Sequence, residues 1–514
     1  MLVKVQSAAN IGLEMTGIDV EVNVASRGMP GFDIVGLPDK AVAESRERVK
    51  TAIQSSKIEF PNRKITVNLA PADIPKEGAS YDLPIAAGII ADETGYKIPE
   101  KSLFFGELSL DGSLRHTKGT LLLALFAKEN NYDNIFIPKD SAAEAGIIKG
   151  INVYPVENLK QLIRHFSGRE AITPGVDGGT PGVEAVCVEA AEFDMSEILG
   201  QEQAKRAMEI AAAGGHNILM MGSPGTGKTM LARALPGILP HLSEGESLEV
   251  TKIYSAAGQI PAGSSLIRVS PFRSPHHTAS AVGLIGGGAK PAPGEISLAH
   301  RGVLFLDEFN EFPRHVLEAM RQPLEDGYLT IARAKERVKY PARFMLVASA
   351  NPCQCGYLNH PKKRCICSMR AIQKYKKRVS GPILDRIDLH VDVPQVDIKE
   401  LSDNQGASKF LEPSEKIRER TISARKIQRE RFSDDNIFTN AEMKNHHIKK
   451  YCKLEKAAEQ ILQLASLKFQ LSARAYLKII KVARTIADLS ESPEIAVNHV
   501  AEALQYRRKE EDVV

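Results

Sequence analysis

The sequence predicts an α/β protein with an amino-terminal α/β domain, a core built on a parallel sheet, and a helical carboxyl-terminal region. Strand-like and helix-like patterns alternate through residues 1–165. In the core, an apolar run, a glycine-rich turn and a helix follow one another at 216–235, and a second apolar run at 302–306 ends in two acidic residues. Beyond about residue 396 the sequence is heavily charged and helical in pattern. Strands alternating with helices are typical of sheets covered by helices.

The amino-terminal region shows both periodicities. Residues 64–74 (KITVNLAPADI) predict a strand, and residues 39–56 predict an amphipathic helix because Val42, Val49 and Ile53 recur at helical spacing. Residues 172–185 are rich in glycine and proline and predict a linker. We therefore expect a first domain over 1–165, a linker over 166–195, a core over 196–395 and a helical domain over 396–514.

Composition narrows the class of protein. The 514 residues suffice for about three domains, and 43% apolar with 25% charged residues is ordinary for a soluble globular protein. No run of eighteen apolar residues occurs, and the first fifteen residues lack the pattern of a signal peptide. We expect a cytoplasmic location and no membrane partner. The net charge of +4 is too small to indicate a partner.

The glycine-rich turn predicts a phosphate site. It satisfies the pattern G-x-x-x-x-G-K-[ST], in which backbone N–H groups surround the phosphates of ATP. Lys228 would reach the β- and γ-phosphates, and the Thr229 hydroxyl would hold Mg²⁺. The flanking strand and helix argue against a chance glycine loop. The predicted nucleotide-binding residues are Gly222, Ser223, Pro224, Gly225, Thr226, Gly227, Lys228 and Thr229, together with Asp307.

Polar residues end the next two predicted strands. Asp307 would position the Mg²⁺, and Glu308 would orient and activate the attacking water. Asn351 ends the strand RFMLVASAN and would help to place that water near the γ-phosphate. The alternative for Asn351 is a residue that starts a turn before Pro352, and the sequence alone favours this alternative.

Four of the six cysteines fall within fifteen residues, which predicts a metal site. Four thiolates suit a structural Zn²⁺, although two C-x-C pairs are tighter than the usual ligand spacing. His360 is an alternative ligand. Eight lysines and arginines and no acid lie between Asn351 and Leu384, so the segment is either a second DNA contact or a surface loop held by zinc. The predicted ligands are Cys353, Cys355, Cys365 and Cys367.

Two further segments predict contacts with DNA. Arg333, Lys335, Arg337 and Lys339 occupy every second position, so an extended chain would present them on one face to a phosphate backbone. The alternative is an edge strand protected by charge. Residues 274–295 are rich in glycine and predict a mobile loop, in which His276 and His277 are interpreted as ordinary polar residues.

With these motifs in place, the chain resembles the magnesium-chelatase-like branch of AAA+ ATPases, and more closely the ComM (YifB) competence proteins. The segments FRSPHHTASAVGLIGGGAKPAPGEISLAHRGVLFLDE and SGPILDRIDLHVDVP carry much of the resemblance, which covers nearly the whole chain. It implies an AAA+ core with a helical lid and a homo-hexameric ring. It also implies a helicase on single-stranded and branched DNA that drives branch migration in natural transformation and recombination.

The resemblance also implies roles for two arginines. Arg386 in LDRID would be the arginine finger that reaches a neighbour's γ-phosphate, and Arg474 in LSARAYL would be the sensor arginine of the lid. A guanidinium supplied by a neighbour can be worth ~10³–10⁵ in rate. The residues alone favour plainer alternatives, namely a local ion pair with Asp385 or Asp388 for Arg386 and solvation for Arg474.

The amino-terminal domain resembles the Lon protease domain. Ser80 lies where the nucleophile would be, but Leu121 occupies the expected place of the activating lysine, and Lys118 is in a different register. We therefore expect a non-proteolytic domain that is structural or guides DNA. The alternative functions are a magnesium-chelatase motor subunit and a Lon-like ATP-dependent protease.

Overall fold

The computed structural model describes residues 2–175, 191–261, 263, 266–288, 292–332, 337–358, 360–395, 411–435 and 437–507. Arg333 and Lys335 lie outside these residues, as does most of the predicted linker. The mixed α/β class with a parallel core sheet and a helical carboxyl-terminal region is confirmed. Among the described residues, none of the helices has the length and apolar character needed to cross a lipid bilayer.

The amino-terminal region contains a seven-stranded mixed sheet and a small two-stranded one. The strands are β1 (Leu2–Ile11), β2 (Glu14–Val24), β3 (Gly31–Val35), β4 (Lys64–Ala70), β5 (Ser102–Phe104), β6 (Glu107–Leu108), β7 (Leu114–Arg115), β8 (Asn134–Pro138) and β9 (Asn152–Val156). The large sheet has the order β3-β4-β2-β1-β5-β8-β9, and β2 is antiparallel to both neighbours. The helices are α1 (Lys40–Ser55), α2 (Asp82–Thr94), α3 (Thr120–Glu129), α4 (Ala142–Ala145) and α5 (Leu159–Phe166).

Helix α1 illustrates why the pattern was informative. The Asp39 side chain accepts a hydrogen bond from the Val42 N–H at 2.8 Å and so caps the helix. Val42, Val49 and Ile53 are fully buried in the domain core, so the predicted apolar face is confirmed.

The core region is built on a five-stranded sheet in which every pairing is parallel. Its strands are β10 (Ile218–Met221), β11 (Phe272–Arg273), β14 (Val303–Leu306), β17 (Met345–Ala350) and β18 (Leu389–Asp392), in the order β11-β14-β17-β10-β18. Two small hairpins accompany it, β12 (Gly286–Gly287) with β13 (Ala292–Pro293) and β15 (Tyr328–Ala332) with β16 (Arg337–Pro341).

Helices cover both faces of this sheet. They are α6 (Glu202–Gly214), α7 (Lys228–Ala234), α8 (Glu244–Ala257), α9 (Ala281–Ile285), α10 (Glu295–Leu298), α11 (Arg314–Ala319), α12 (Arg321–Asp326), α13 (Met369–Lys376) and α14 (Gly381–Leu384). The carboxyl-terminal region is helical as predicted, with helices Ser414–Arg431, Asn445–Tyr451, Lys456–Lys468, Ala473–Leu489 and Val497–Gln505. These lid helices share a hydrophobic core with α6 and β10.

Asn217 joins the strands of the core sheet at their amino ends. Its side chain accepts from the Leu346 N–H at 2.8 Å and donates to the Arg386 carbonyl at 3.0 Å, while its own carbonyl accepts from the N–H groups of Asp388 and Leu389. One residue before β10 therefore holds β17 and β18 in register.

We expect Asn217→Ala to lower the free energy of unfolding of the core by about 1–3 kcal/mol, because two backbone groups lose their partner. Thermal unfolding followed by circular dichroism would measure the change. The matched control is Asn498→Ala, an exposed helical position at which a change within about 0.5 kcal/mol is expected. Equal effects of the two substitutions would contradict the role of Asn217.

Candidate nucleotide site

The glycine-rich turn joins β10 to α7 and depends on its glycines. Gly225 and Gly227 have φ angles of 81° and 88°, which side chains rarely adopt. A Cβ atom at Gly222 would lie 2.4 Å from the Val393 carbonyl oxygen, so this position also excludes a side chain. The turn is therefore held close to the end of β18, with its backbone exposed at Gly225 and Gly227.

Lys228 and Asn351 meet at this turn. The Lys228 Nζ donates to the carbonyls of Gly222 at 2.7 Å and Ser223 at 2.9 Å, and it lies 3.4 Å from the Asn351 Oδ1. Burial lowers the pKa of Lys228, against the opposing charges of Asp307 and Glu308. Asn351 thus lies beside the P-loop lysine, where the prediction of a water-placing residue requires it.

Asp307 is the acceptor at the centre of the site. Its carboxylate accepts from the Thr229 hydroxyl at 2.9 Å, from the Ser349 hydroxyl, and from the Glu308 N–H at 3.0 Å. A hydroxyl and a carboxylate oxygen so close together fit Mg²⁺, which takes oxygen ligands and keeps several waters. Ser349 was missed by the sequence interpretation, although β14 and β17 are adjacent and Leu306 pairs with Ala348 in their register.

Glu308 follows in a strained backbone conformation. Its φ of 50° is unusual for a residue with a side chain, and such strain is typical of active sites. One oxygen of its carboxylate lies 3.3 Å from Nδ1 of His277. His277 was interpreted from the sequence as an ordinary loop residue, and this contact is the feature that interpretation missed.

The segment that contains His277 is more ordered than predicted. Within its described residues, the predicted mobile loop 274–295 forms α9, the β12–β13 pair and the first residue of α10. Ser280 caps α9 by accepting from the Gly283 N–H at 3.0 Å, and Leu284 is fully buried. Helix capping and one apolar anchor thus explain what the glycine content concealed.

The two arginines assigned from the resemblance lie at the opposite edge of the sheet. Arg386 precedes β18 and is bonded through its carbonyl to Asn217, which precedes β10, whereas the P-loop follows β10. The guanidinium of Arg386 pairs with Glu325, and Arg474 donates to the other oxygen of that carboxylate at 3.1 Å. Hence Arg386 does not form the local pair considered from the sequence.

Glu325 holds both guanidiniums at the rim of a cleft of about 1110 Å³ between the core and the lid. The hydrogen bond from Arg386, with the charge of Arg474, lowers the pKa of Glu325. Lys478 from the same lid helix as Arg474 lies 3.3 Å from Asp388 and closes the cleft floor. Although burial acts in the opposite direction, Lys478 and His216 lower the pKa of Asp388.

The four predicted cysteine ligands lie together. Their sulfur atoms are all within 4.8 Å of one another, and the Cys353–Cys355 and Cys353–Cys365 distances are 3.4 and 3.7 Å. Sulfurs bound at about 2.3 Å to one tetrahedral zinc ion lie about 3.8 Å apart. Backbone hydrogen bonds from Tyr357 and Ile366 lower the pKa of Cys355 to about 6, which favours a thiolate. The donor set therefore fits Zn²⁺.

His360 is not part of this cluster. Its Nδ1 accepts from the backbone N–H groups of Lys362 at 3.0 Å and Lys363 at 2.8 Å, so the ring stabilises the loop between the two cysteine pairs. The alternative of His360 as a ligand thus receives no support, and the thiols form the set.

The cysteine knob (residues 353–367) packs on the P-loop. A Cβ atom at Gly356 would lie 2.5 Å from the Pro224 Cδ, and Cys353 is fully buried two residues after Asn351. Both the P-loop and Asn351 are therefore supported by the folded knob.

The basic segment forms a hairpin, and its alternation is confirmed where the structure describes it. Arg337 and Lys339 are exposed, whereas Val338 and Tyr340 are buried. The Lys339 Nζ also lies 3.7 Å above the ring of Tyr328 on the paired strand. Arg333 and Lys335 lie outside the described residues.

No serine–lysine pair occurs at Ser80 among the described hydrogen bonds of the amino-terminal domain. Leu121 is fully buried in α3, and Lys118 packs instead against the core, where a Cβ at Gly258 would lie 3.2 Å from its Cδ. The domain is further attached to the core by a 2.5 Å hydrogen bond from Ser255 to Glu144.

Three protein-family models match the chain. They are "Magnesium chelatase, subunit ChlI" over residues 194–401, "Subunit ChlI of Mg-chelatase" over 20–141, and "Magnesium chelatase, subunit ChlI C-terminal" over 411–507. The model for residues 20–141 also carries a chelatase name, so the amino-terminal domain does not by itself argue against a chelatase motor.

Known proteins are similar along the whole chain. It is 41% identical over 511 residues to Competence protein ComM of Haemophilus influenzae, covering 98% of this chain and 97% of that protein. It is 41% identical over 509 residues to Uncharacterized protein YifB of Escherichia coli, covering 98% and 96%. Similarity to Magnesium-chelatase subunit ChlI of Olisthodiscus luteus is 28% over 252 residues, 46% of this chain and 70% of that protein.

The contact between the knob and the P-loop gives a prediction about nucleotide affinity. Gly356→Ala should raise the dissociation constant for ATP at least about threefold, because the new Cβ displaces Pro224 in addition to straining a φ of 81°. Gly150→Ala is the matched control, since Gly150 has a φ of 90° and open space around it. Calorimetric titration with a non-hydrolysable ATP analogue measures both. Unchanged affinity in Gly356→Ala would show that the knob does not support the site.

Proposed function

Because the chain belongs to the ComM/YifB family of magnesium-chelatase-like AAA+ ATPases, we propose that it is a ring-forming, ATP-driven DNA translocase. In this proposal it acts in the cytoplasm as a helicase that promotes branch migration, and it helps incoming single strands to integrate during natural transformation and homologous recombination. The name of the Haemophilus influenzae relative supports the link with competence.

The observation that carries the proposal is the separation of the catalytic groups. Lys228, Thr229, Asp307 and Asn351 lie at the carboxyl edge of the core sheet, and Arg386 and Arg474 lie at the amino edge. The arginines therefore face away from the phosphate site of their own chain. A ring in which the amino edge of each subunit meets the carboxyl edge of the next would complete every site.

Each residue then has one proposed role. Bound ATP would lie on the P-loop with Lys228 at its phosphates, and Thr229 and Asp307 would hold Mg²⁺, which neutralises charge on the phosphoryl group when bound. Glu308 would orient and activate water, with Asn351 beside it. Arg386 and Arg474 would stabilise the transferring phosphoryl group in the neighbouring subunit, released from Glu325 by the incoming negative charge.

The hairpin β15–β16 is the proposed DNA contact. Its exposed Arg337 and Lys339 suit a phosphate backbone, and such contacts are independent of sequence and sensitive to salt. Its position between α12 and β17 connects it covalently to the strand that ends at Asn351. Zinc in the cysteine knob would be structural, and it would keep the basic residues 362–378 available as a second contact.

Two other functions compete with this one. A magnesium-chelatase motor subunit remains an alternative because the family models carry that name, but the alignment with ComM includes the cysteine knob and extends over almost the entire chain. A Lon-like protease is opposed by the buried Leu121 and by the distant side chain of Lys118. Stimulation of ATP hydrolysis by single-stranded DNA would separate the translocase from both.

The DNA contact predicts a selective loss of function. Arg337→Gln combined with Lys339→Gln should keep basal ATP hydrolysis near wild type and should abolish DNA stimulation and strand displacement. The slope of log affinity against log salt should fall by about 0.7 for each phosphate that the hairpin no longer neutralises. Lys453→Gln with Lys456→Gln removes the same charge from the lid as a control. Normal unwinding by the hairpin variant would move the DNA site elsewhere, with the cysteine knob the next candidate.

The shared site predicts complementation between two inactive subunits. Arg386→Ala and Lys228→Ala should each reduce turnover at least about a hundredfold, because one lacks the finger and the other lacks the phosphate-binding lysine. Mixed in equal amounts, they should recover up to about a quarter of wild-type activity, since that share of random interfaces pairs an intact P-loop with an intact finger. Mixed rings as inactive as their parents would refute the assignment of Arg386.

The knob predicts one zinc ion per chain. Metal analysis of protein purified under reducing conditions should find it in the wild type, and it should be absent when Cys353 and Cys367 are replaced by Ser. Cys452→Ala should retain the metal, because Cys452 is buried in the lid core away from the cluster. Equal metal content in all three proteins would contradict the site.

A further inference from the structure

The contact between His277 and Glu308 reaches the group that is proposed to activate water. His277 Nδ1 lies 3.3 Å from Glu308 Oε2, and the side chains are 30% and 52% exposed. At this distance Nδ1 carries the proton and donates it to the carboxylate. A partly exposed pair of this kind is weak, at about 0–1 kcal/mol, and can therefore open and close.

The sheet itself brings these two residues together. Strands β11 and β14 are parallel, and Arg273 pairs with Leu304. Four residues further along each strand direction are His277 and Glu308. The bidentate ion pair between Arg273 and Glu295, at 2.6 and 2.7 Å, anchors β11 to α10 and so fixes where the His277 segment begins. The contact is thus a consequence of strand register rather than of a chance loop conformation.

A carboxylate that accepts a hydrogen bond from His277 is a poorer base and is fixed in orientation. The left-handed φ of 50° at Glu308 directs its side chain towards the His277 segment, whereas Lys228 and Asn351 lie beside the P-loop. Backbone strain of this kind persists only when surrounding contacts enforce it. Release of His277 would free the carboxylate to accept a hydrogen bond from water.

The same segment leads directly to the DNA-contact hairpin. Ser280, three residues after His277, caps α9, and α9 ends at Gly286. A Cβ at Gly286 would lie 2.9 Å from the Cδ1 of Ile331 on β15, so hairpin and segment are in close contact. Leu284 of α9 and Leu329 of β15 belong to one buried cluster, which also contains Leu306 and Phe309 on either side of the acid pair.

We propose that His277 is a positioning residue that restrains Glu308, and that movement of the β15–β16 hairpin on DNA releases this restraint and raises ATP turnover. The proposal rests on the proposed function for its second half only. The restraint on Glu308 itself requires no DNA and is tested without it.

The test compares steady-state ATP hydrolysis by His277→Ala, His277→Gln and wild-type protein, with and without single-stranded DNA. His277→Ala should raise basal kcat at least about threefold and leave the KM for ATP within about twofold, because Glu308 is released while the P-loop is untouched. DNA should then add little further stimulation. His277→Gln keeps an N–H donor and should behave like the wild type.

His276→Ala is the matched control, since His276 bonds Thr278 at 2.8 Å and does not contact Glu308 within the described structure. An unchanged or lower basal kcat in His277→Ala would overturn the restraint, as would an equal rise in His276→Ala. If DNA fails to stimulate even the wild type, the proposed function fails, whereas the basal rates still decide the restraint. If His277→Ala has a raised basal rate and full DNA stimulation, the restraint stands and its release by the hairpin is refuted.

Discussion

The hydrogen bonds of the Asp307 carboxylate are the constraint on which the site depends. They connect the start of α7, the end of β14 and the strand β17 through Thr229, Glu308 and Ser349. Each of these residues stands at or near the carboxyl end of its own strand, or at the start of the helix that follows, and only a parallel sheet brings those positions to one edge. The P-loop, the acid pair and Asn351 are consequently one structural unit.

The same parallel sheet separates the arginines from that unit. A residue that precedes a strand lies at the amino edge, so Arg386 is separated by the length of a strand from the P-loop of its own chain. Glu325 compensates two guanidiniums there, which lowers the cost of holding like charges next to each other. An ATPase built in this way is incomplete as a single chain, and oligomerisation becomes a requirement of the chemistry rather than an addition to it.

The amino-terminal domain is packed against the elements that would move. A Cβ at Gly12, in the turn between β1 and β2, would lie 2.3 Å from the Val338 Cγ1, and Leu13 packs on the cluster of Ile331, Val338 and Tyr340. The apolar face of the hairpin is therefore covered, and its basic face is left exposed. A domain without a serine–lysine pair among its described hydrogen bonds thus contributes to orienting the hairpin, which agrees with a structural or DNA-guiding role.

The sequence by itself determined the fold class, the family and the residues of the nucleotide site, because these depend on local patterns. Hydrophobic periodicity predicted α1 and β14, and the glycines of the P-loop are required by backbone angles that the motif itself implies. Spacing alone also predicted the cluster of four cysteines. The tertiary structure decided what depends on the alignment of distant strands: Ser349 beside Asp307, His277 beside Glu308, and Arg386 with Arg474 on Glu325. Strand order and register are set by contacts between residues far apart in the chain, and no local pattern records them.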